Sequence, residues 1–261
     1  MIKIESRVLG PVATNCYLII NLDNNESIIV DPADSPESIY DMVVRSASKP
    51  QAILLTHGHF DHIGAANEVR EHYGIKIYAS CDEEKLLASP ARNLSNAYGM
   101  SLKVTADVLH NDGDILELAG LKIKAIHTPG HTAGGTCYYI ESDKTLMSGD
   151  TLFAGSVGRT DYPTASSAAM MESLHDKLCK LPDDTDVYPG HGEFTTIGYE
   201  SRTIRLCDAR KRKGSNAKRY LLFAGHQRAN SLRSRRRSTI VRVCEYGISR
   251  RKETDAKRKQ R

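Results

Sequence analysis

The sequence predicts an α/β protein in which β-sheets are covered by helices on their outer faces. Two observations carry this expectation. Short apolar segments of strand character recur through residues 1–200 and are interspersed with segments of helical spacing. Four of the apolar segments also run directly into turns that contain Gly and end in His or Asp. The chain has 261 residues, of which 40% are hydrophobic and 26% charged, so it can bury a core as one large domain or two small ones. With no Trp and 4 Phe, that core must be built from Leu, Ile, Val, Ala and Tyr.

The elements follow in order. Asn15-Cys-Tyr-Leu-Ile-Ile20 reads as a strand, residues 21–26 as a polar turn, and Ser27-Ile-Ile-Val30 as a second strand ending at Asp31-Pro32. Ser35-Pro36-Glu37 starts a helix, with Ser as cap and Pro at the first helical position. The helix runs toward Ala47 with Ile39, Met42 and Val43 on one face. Gln51 to Leu55 is a continuous apolar strand of the kind found in buried sheets. It delivers the chain into Thr56-His57-Gly58-His59-Phe60-Asp61-His62, where Gly58 suits an irregular loop better than a helix. A helix from about Ile63 to Tyr73, a strand Ile75–Ala79 and a helix near Glu83–Ala88 come next, whereas residues 90–112 give no clear element. Leu121–Ile126, Thr136–Ile140 and Thr145–Ser148 read as strands. Ser166–Lys180 reads as an amphipathic helix on Met170, Leu174 and Leu178, Asp186–Tyr188 as a last short strand, and Thr195–Arg205 as a closing helix.

Composition narrows the class. The first residues lack the basic head and apolar stretch of a signal peptide, and no apolar run approaches the ~20 residues of a membrane span. The six cysteines are scattered without a Cys-x-x-Cys pair, which reads as free, mostly buried thiols in a reducing compartment and gives a cytoplasmic expectation. The net charge of +4 conceals an asymmetry: residues 1–200 carry 15 Lys and Arg against 28 Asp and Glu, residues 201–261 carry 21 against 4. A folded domain is therefore assigned to residues 1–200 and a basic tail to 201–261. The tail has three readings: an arm for nucleic acid or an acidic surface, a disordered extension, or non-native sequence after a lost reading frame.

A single His is weak evidence, and His72, His110, His127, His175 and His226 are read as ordinary core or surface residues. Thr56–His62 differs, with three His and one Asp within six residues directly after a buried strand. Imidazole and carboxylate are the ligands that zinc, manganese and iron accept. Pro129-Gly130-His131, Ser148-Gly149-Asp150 and Pro189-Gly190-His191 repeat the form, each placing a ligand type after a Gly that follows an apolar strand. Together they supply seven ligands, His57, His59, Asp61, His62, His131, Asp150 and His191, enough for two divalent metal ions with a bridging water.

This set resembles the signature of the metallo-β-lactamase superfamily. Thr128-Pro-Gly-His-Thr132, Gly149-Asp-Thr-Leu-Phe153 and Tyr188-Pro-Gly-His-Gly192 look like its glyoxalase II, or hydroxyacylglutathione hydrolase, branch. The resemblance covers about residues 1 to 200 and implies a four-layer αβ/βα sandwich. It implies that His57, His59 and His131 hold one metal, that Asp61, His62 and His191 hold the other, and that Asp150 bridges them. It also implies that Asp31 braces the ligand loop from behind and that Arg159 meets a substrate carboxylate. The helical C-terminal domain of glyoxalase II is not recognisable, and the chain also resembles shorter bacterial relatives that lack it.

The implied chemistry is thioester hydrolysis. Two ions, zinc first with iron or manganese as the alternatives, lower the pKa of a shared water to ~7 and make a hydroxide available for attack on the carbonyl. Asp61 and Asp150 position it, and a thiolate leaves without much help from an acid. The expected partner is a small-molecule thioester, with no membrane, and any nucleic-acid contact is assigned to the tail alone. Two alternatives stand beside this reading. One is a persulfide dioxygenase with a single iron on His57, His131 and Asp150. The other is a nucleic-acid processing or binding protein that uses the tail. A true β-lactamase is ranked lower because Asp150 stands where many of those enzymes carry Cys.

Overall fold

The computed structural model describes residues 1–204. The basic tail beyond them, with its three readings and His226, lies outside the described residues.

The chain opens on β1 (Ile2–Leu9), β2 (Thr14–Asn21) and β3 (Glu26–Val30), followed by α1 (Pro36–Ser46), β4 (Lys49–Leu54), α2 (Phe60–Ile63), α3 (Ala66–Tyr73), β5 (Lys76–Ser80), α4 (Glu84–Leu87) and β6 (Val108–His110). The second half runs β7 (Ile115–Leu118), β8 (Leu121–His127), β9 (Thr136–Ile140), β10 (Thr145–Gly149), β11 (Leu152–Phe153), β12 (Ser156–Val157), α5 (Ser167–Glu172), β13 (Asp186–Pro189), β14 (Thr195–Thr196) and α6 (Ile197–Thr203). β1 through β6 form one sheet in sequence order, and the other main sheet has the order β14-β13-β10-β9-β8-β7. β3, β4, β5 and β6 are mutually parallel, as are β10 and β13; the remaining pairs in these two sheets are antiparallel.

Strand periodicity sorts the side chains into three apolar layers. Along β2, Tyr17 and Ile19 face the second sheet, where they meet Ile123, Ala125, Tyr138 and Met147. The alternate residues Cys16, Leu18 and Ile20 face outward and pack with Ile39, Met42 and Val43 of α1 and Ala66 and Val69 of α3. In the second sheet, Cys137, Tyr139, Leu146 and Val187 face outward against Met170, Leu174 and Leu178. Burying a side chain such as Leu, Ile or Met contributes about 1.5–3 kcal/mol, so these interlayer contacts hold helix, sheet, sheet and helix together. The result is the four-layer αβ/βα sandwich.

Several local expectations need correction. α1 has its predicted bounds and buried face, but Ser35 does not cap it. Its backbone is left-handed, and its hydroxyl donates to Asp34 Oδ1 at 2.9 Å instead of to the helix. The helix expected from Ile63 begins earlier, as the single turn α2, and pauses before α3. Phe60 N–H is taken by the carbonyl of Asn93, a segment that gave no clear element in the sequence. The helix expected over residues 166–180 is α only to Glu172, then widens to a π turn over Ser173–Lys177. Thr195 and Thr196 pair with β13 before α6 begins. Cys16 and Cys137 are free and buried, as most of the thiols were expected to be, and Cys81 is free but exposed. Among the described residues no helix is long and apolar enough to cross a membrane.

Candidate metal centre

Strand direction gathers the functional residues. β3 ends immediately before Asp31, β4 two residues before Thr56, β8 four before His131, β10 just before Asp150 and β13 two before His191. Parallel pairing of β3 with β4 and of β10 with β13 puts these strand ends on one edge of both sheets. The start of β2 lies on the same edge, and Thr14 bridges to His191.

All seven sequence-predicted ligands converge there. His57, His59 and His131 form one group whose candidate ligand atoms lie within 4.8 Å of one another, and Asp61, His62 and His191 form a second. Asp150 groups with His57 and His62, one member of each triad. Its Oδ2 lies 3.4 Å from His131 Nε2 and 3.6 Å from His191 Nε2, while Oδ1 lies 3.4 Å from His62 Nε2. In the first triad His59 Nδ1 is 2.9 Å from His131 Nε2; in the second His191 Nε2 is 3.3 Å from Asp61 Oδ2. His72, His110 and His127 lie elsewhere, stacked on Tyr40, bonded to the Tyr138 hydroxyl and bonded to the Ala133 carbonyl respectively.

The surroundings fix which nitrogen each ring presents. His131 Nδ1 donates to the carbonyl of Arg159 at 2.8 Å, so Nε2 faces the cluster. His62 Nδ1 donates to Asp31 Oδ2 at 2.8 Å, again leaving Nε2 inward. Asp31 also accepts from Thr56, through its N–H at 2.8 Å and its hydroxyl at 2.6 Å, and that hydroxyl oxygen lies 3.2 Å from His57 Nδ1. What remains is a set of buried polar atoms with no hydrogen-bond partner: His57 Nε2, His62 Nε2 and Asp150 Oδ1. Buried polar atoms are rarely left unpaired in a folded protein. Lone pairs of imidazole and carboxylate aimed at one another fit metal ions in the gaps between them.

Charge is distributed unequally over the two triads. Burial holds His57 well below the ordinary histidine range, helped by His62 and His59. It pushes His59 down to about 3, with His131 adding to the effect, and it lowers His131 against the pull of Asp150. For His62 burial acts in the same direction, but Asp61, Asp150 and Asp31 outweigh it and hold this imidazole well above the ordinary range. His191 is raised likewise, with Asp150 and Asp61 outweighing burial. Burial works to raise Asp61, yet His62 and His191 bring it to about 2; His191 and His62 take Asp150 well below the carboxylate range.

The Gly before each later ligand serves different ends. Gly149 is left-handed, at φ +47°, a conformation that favours Gly. Gly190 is not left-handed. A Cβ there would collide with Asp150 Oδ1 and stand 2.6 Å from His62 Cε1, so its bare backbone makes room for the cluster.

Arg159 sits on the same side, but its guanidinium is paired with Asp161 through bonds of 2.9 and 2.7 Å and stacks 4.6 Å over Tyr162. The Tyr162 ring stands edge-on to His59 and His131 at 5.1 and 5.5 Å. Sequence reasoning missed this wall, and it missed Thr14 and Asn15. Thr14 donates to Asp61 Oδ2 at 3.0 Å, and the Asn15 amide donates to the carbonyls of Pro189 and Gly192 at 2.9 and 3.0 Å, pinning the loop of His191. The only signal for either was a polar pair at the mouth of an apolar strand.

The family description Metallo-beta-lactamase superfamily matches residues 9–191. Hydroxyacylglutathione hydrolase GloC of Haemophilus influenzae is 34% identical over 193 residues, 72% of this chain and 90% of that protein. The solved structure described as BLEG-1 B3 metallo-beta-lactamase is 37% identical with a TM-score of 0.74, covering 78% of this chain and 99% of that one. TTHA1623 in a di-iron-bound form is 35% identical with a TM-score of 0.68, covering 76% and 98%.

Proposed function

The chain belongs to the metallo-β-lactamase superfamily of metal-dependent hydrolases, and on that premise we propose that it hydrolyses a thioester such as a hydroxyacylglutathione at a two-metal centre. The observation that carries this reading is the position of Asp150 between the two triads, with its Oδ1, His57 Nε2 and His62 Nε2 buried and without a hydrogen-bond partner. His57, His59 and His131 would hold one ion, Asp61, His62 and His191 the second, and Asp150 would reach both. Zinc is the first choice, with iron or manganese as alternatives for the same donors. When bound, two divalent cations supply Lewis acidity toward the carbonyl oxygen and bring the pKa of water into the neutral range.

The chain's own residues do the rest. Asp61 and Asp150 are held ionised, by His62 and His191 above all, and so offer acceptors that orient the attacking water. Tyr162 walls the first triad, and Arg159 lies against it as the residue for a substrate carboxylate, its charge shared with Asp161. A thiolate needs little protonation to leave, which suits a centre whose low-pKa groups are all acceptors. The 34% identity to GloC supports the thioester class. The proposal includes a cytoplasmic setting and a small-molecule partner.

The 37% identity to the protein described as a B3 metallo-beta-lactamase favours a second reading, β-lactam hydrolysis, and weighs against ranking it low. Elemental analysis combined with a panel of glutathione thioesters, simple acyl thioesters and β-lactams separates the two. The thioester reading expects two ions per chain and the highest kcat/KM on a glutathione thioester. Faster turnover of a β-lactam would replace it. One iron with oxygen uptake on a persulfide would favour the dioxygenase alternative.

A further inference from the structure

Outside the ligands and the residues already named around them, one buried charged side chain touches both loops of the first triad. Glu83 ends the short 3-10 turn that follows β5 and is 1% exposed. Its Oε2 accepts from the N–H of Gly58 at 3.0 Å. Its Oε1 accepts from the N–H of Gly134 at 2.8 Å and from the Thr132 hydroxyl at 2.5 Å. Gly58 lies between His57 and His59, and Thr132 follows His131. One carboxylate therefore ties the stretch between β4 and α2, which supplies two ligands of the first triad, to the loop that supplies the third; Asp61 and His62 follow on α2, where the Asn93 carbonyl holds Phe60 N–H and Asp31 holds His62. None of its hydrogen bonds reaches the β10–β11 or β13–β14 connections that carry Asp150 and His191.

A buried carboxylate is expensive to desolvate unless donors compensate it, and three donors do so here. A helix-capping or purely packing role would not require those donors to come from two ligand loops 74 residues apart in the chain, Gly58 and Thr132. We propose that Glu83 is a positioning residue for one metal site only, setting the spacing of His57, His59 and His131 while leaving the Asp61, His62 and His191 site to other supports. The inference rests on the metal-centre reading above and assigns unequal roles within it.

The test is equilibrium titration of metal-free, full-length protein with zinc against a competing chelator. Wild type is expected to bind two ions. Glu83→Gln keeps the size of the side chain but sets an amide donor against one of the loop donors. It is measured in two backgrounds: His191→Ala, which leaves the first site to be read, and His131→Ala, which leaves the second. Metal affinity should fall about 10–100-fold in the first background, the range for residues that orient a ligand from behind, and less than about twofold in the second. Equal losses in both backgrounds, or none in either, would overturn the proposal. If Glu83→Gln does not fold, Thr132→Val removes one of the three contacts and should show the same asymmetry at smaller size; its absence would overturn the proposal too. Wild type binding no metal would overturn the function reading and this inference together, whereas two ions in wild type and an unselective Glu83→Gln would sink the inference alone.

Discussion

Asp31 Oδ2 accepts from His62 Nδ1 at 2.8 Å, and the same oxygen takes the hydroxyl of Thr56, which in turn lies beside His57 Nδ1. One carboxylate outside the cluster thus orients a ligand from each triad. Asp31→Ala would leave the His62 N–H and both Thr56 donors buried without an acceptor, and ring orientation would relax. The expected loss is about 10–100-fold in metal affinity or activity. Asp150→Ala removes the group shared by both triads and should abolish hydrolysis. Metal content and steady-state kinetics of the two variants check this order; an Asp31→Ala protein that keeps its metal yet is as inactive as Asp150→Ala would contradict it.

Metal uptake should release protons, mostly from the second triad. His62 and His191 are held above 6.5 by their carboxylate neighbours, whereas His57, His59 and His131 lie below it. Above 6.5 the first triad binds without losing protons, whereas the second must lose those held by His62 and His191. Affinity of the second site should therefore rise as pH increases through the folded pKa values of His62 and His191, while the first stays nearly flat. In metal-free protein, the stability drawn from protonated His62 and His191 is fully present below pH 6.5 and is lost as pH rises through their folded pKa values. Asp61 acts in the opposite sense: its contribution is present above 3.8 and lost as pH falls through about 2. Calorimetric titration in buffers of different ionisation enthalpy measures the released protons.

Gly190→Ala is predicted to damage the centre without unfolding the protein. The added methyl would enter the space of Asp150 Oδ1 and of His62 Cε1, while Gly190 is free of left-handed strain. Circular dichroism should remain native, and metal affinity should fall at least about tenfold. Unchanged affinity would show that the loop gives way.

The boundary of the hydrolytic unit can be cut at two places. α6 continues past residue 200 to Thr203, and Glu200 is fully buried, accepting from the Thr195 hydroxyl at 2.6 Å and from Gly155 N–H at 2.9 Å. A chain ending at Arg205 is expected to fold, bind metal and keep its activity. A chain ending at His191 should melt earlier, because Ile197 and the Glu200 bonds are lost together. Melting curves and kinetics of both truncations decide; loss of activity in the longer one would assign the tail to the functional fold.

Much of this was legible in the sequence because it depends on residue type and near spacing. The apolar run from Cys16 to Ile20 marked β2 as a strand, and the seven ligands were legible from the cluster of three His and one Asp after β4 and from His131, Asp150 and His191, each after a Gly at a strand end. What stayed hidden depends on distant partners. Glu83 looked like any residue at a helix start until Gly58, Thr132 and Gly134 closed around it. Asp61 and His62 were assigned to a loop, yet Asn93 holds the N–H of Phe60 where a helical turn begins. The π turn was invisible for another reason: Met170 before it, Leu174 within it and Leu178 after it all face the core, so apolar spacing does not register the wider ring. Arg159 was singled out for its side chain, but its backbone carbonyl is what holds His131.

The strand ends that carry the cluster belong to two different sheets, with His57, His59, Asp61 and His62 following β4 and His131, Asp150 and His191 following β8, β10 and β13. An ion seated in either triad would therefore act as a staple across the sandwich. Its binding energy is shared with the folding equilibrium: ligand at 100 times its Kd adds about 2.7 kcal/mol to the stability of the folded state. Chelation would then loosen the interface between the sheets as well as silence the centre. A cell poor in the ion would hold this protein not as a stable but idle enzyme, but as a weaker fold exposed to proteolysis.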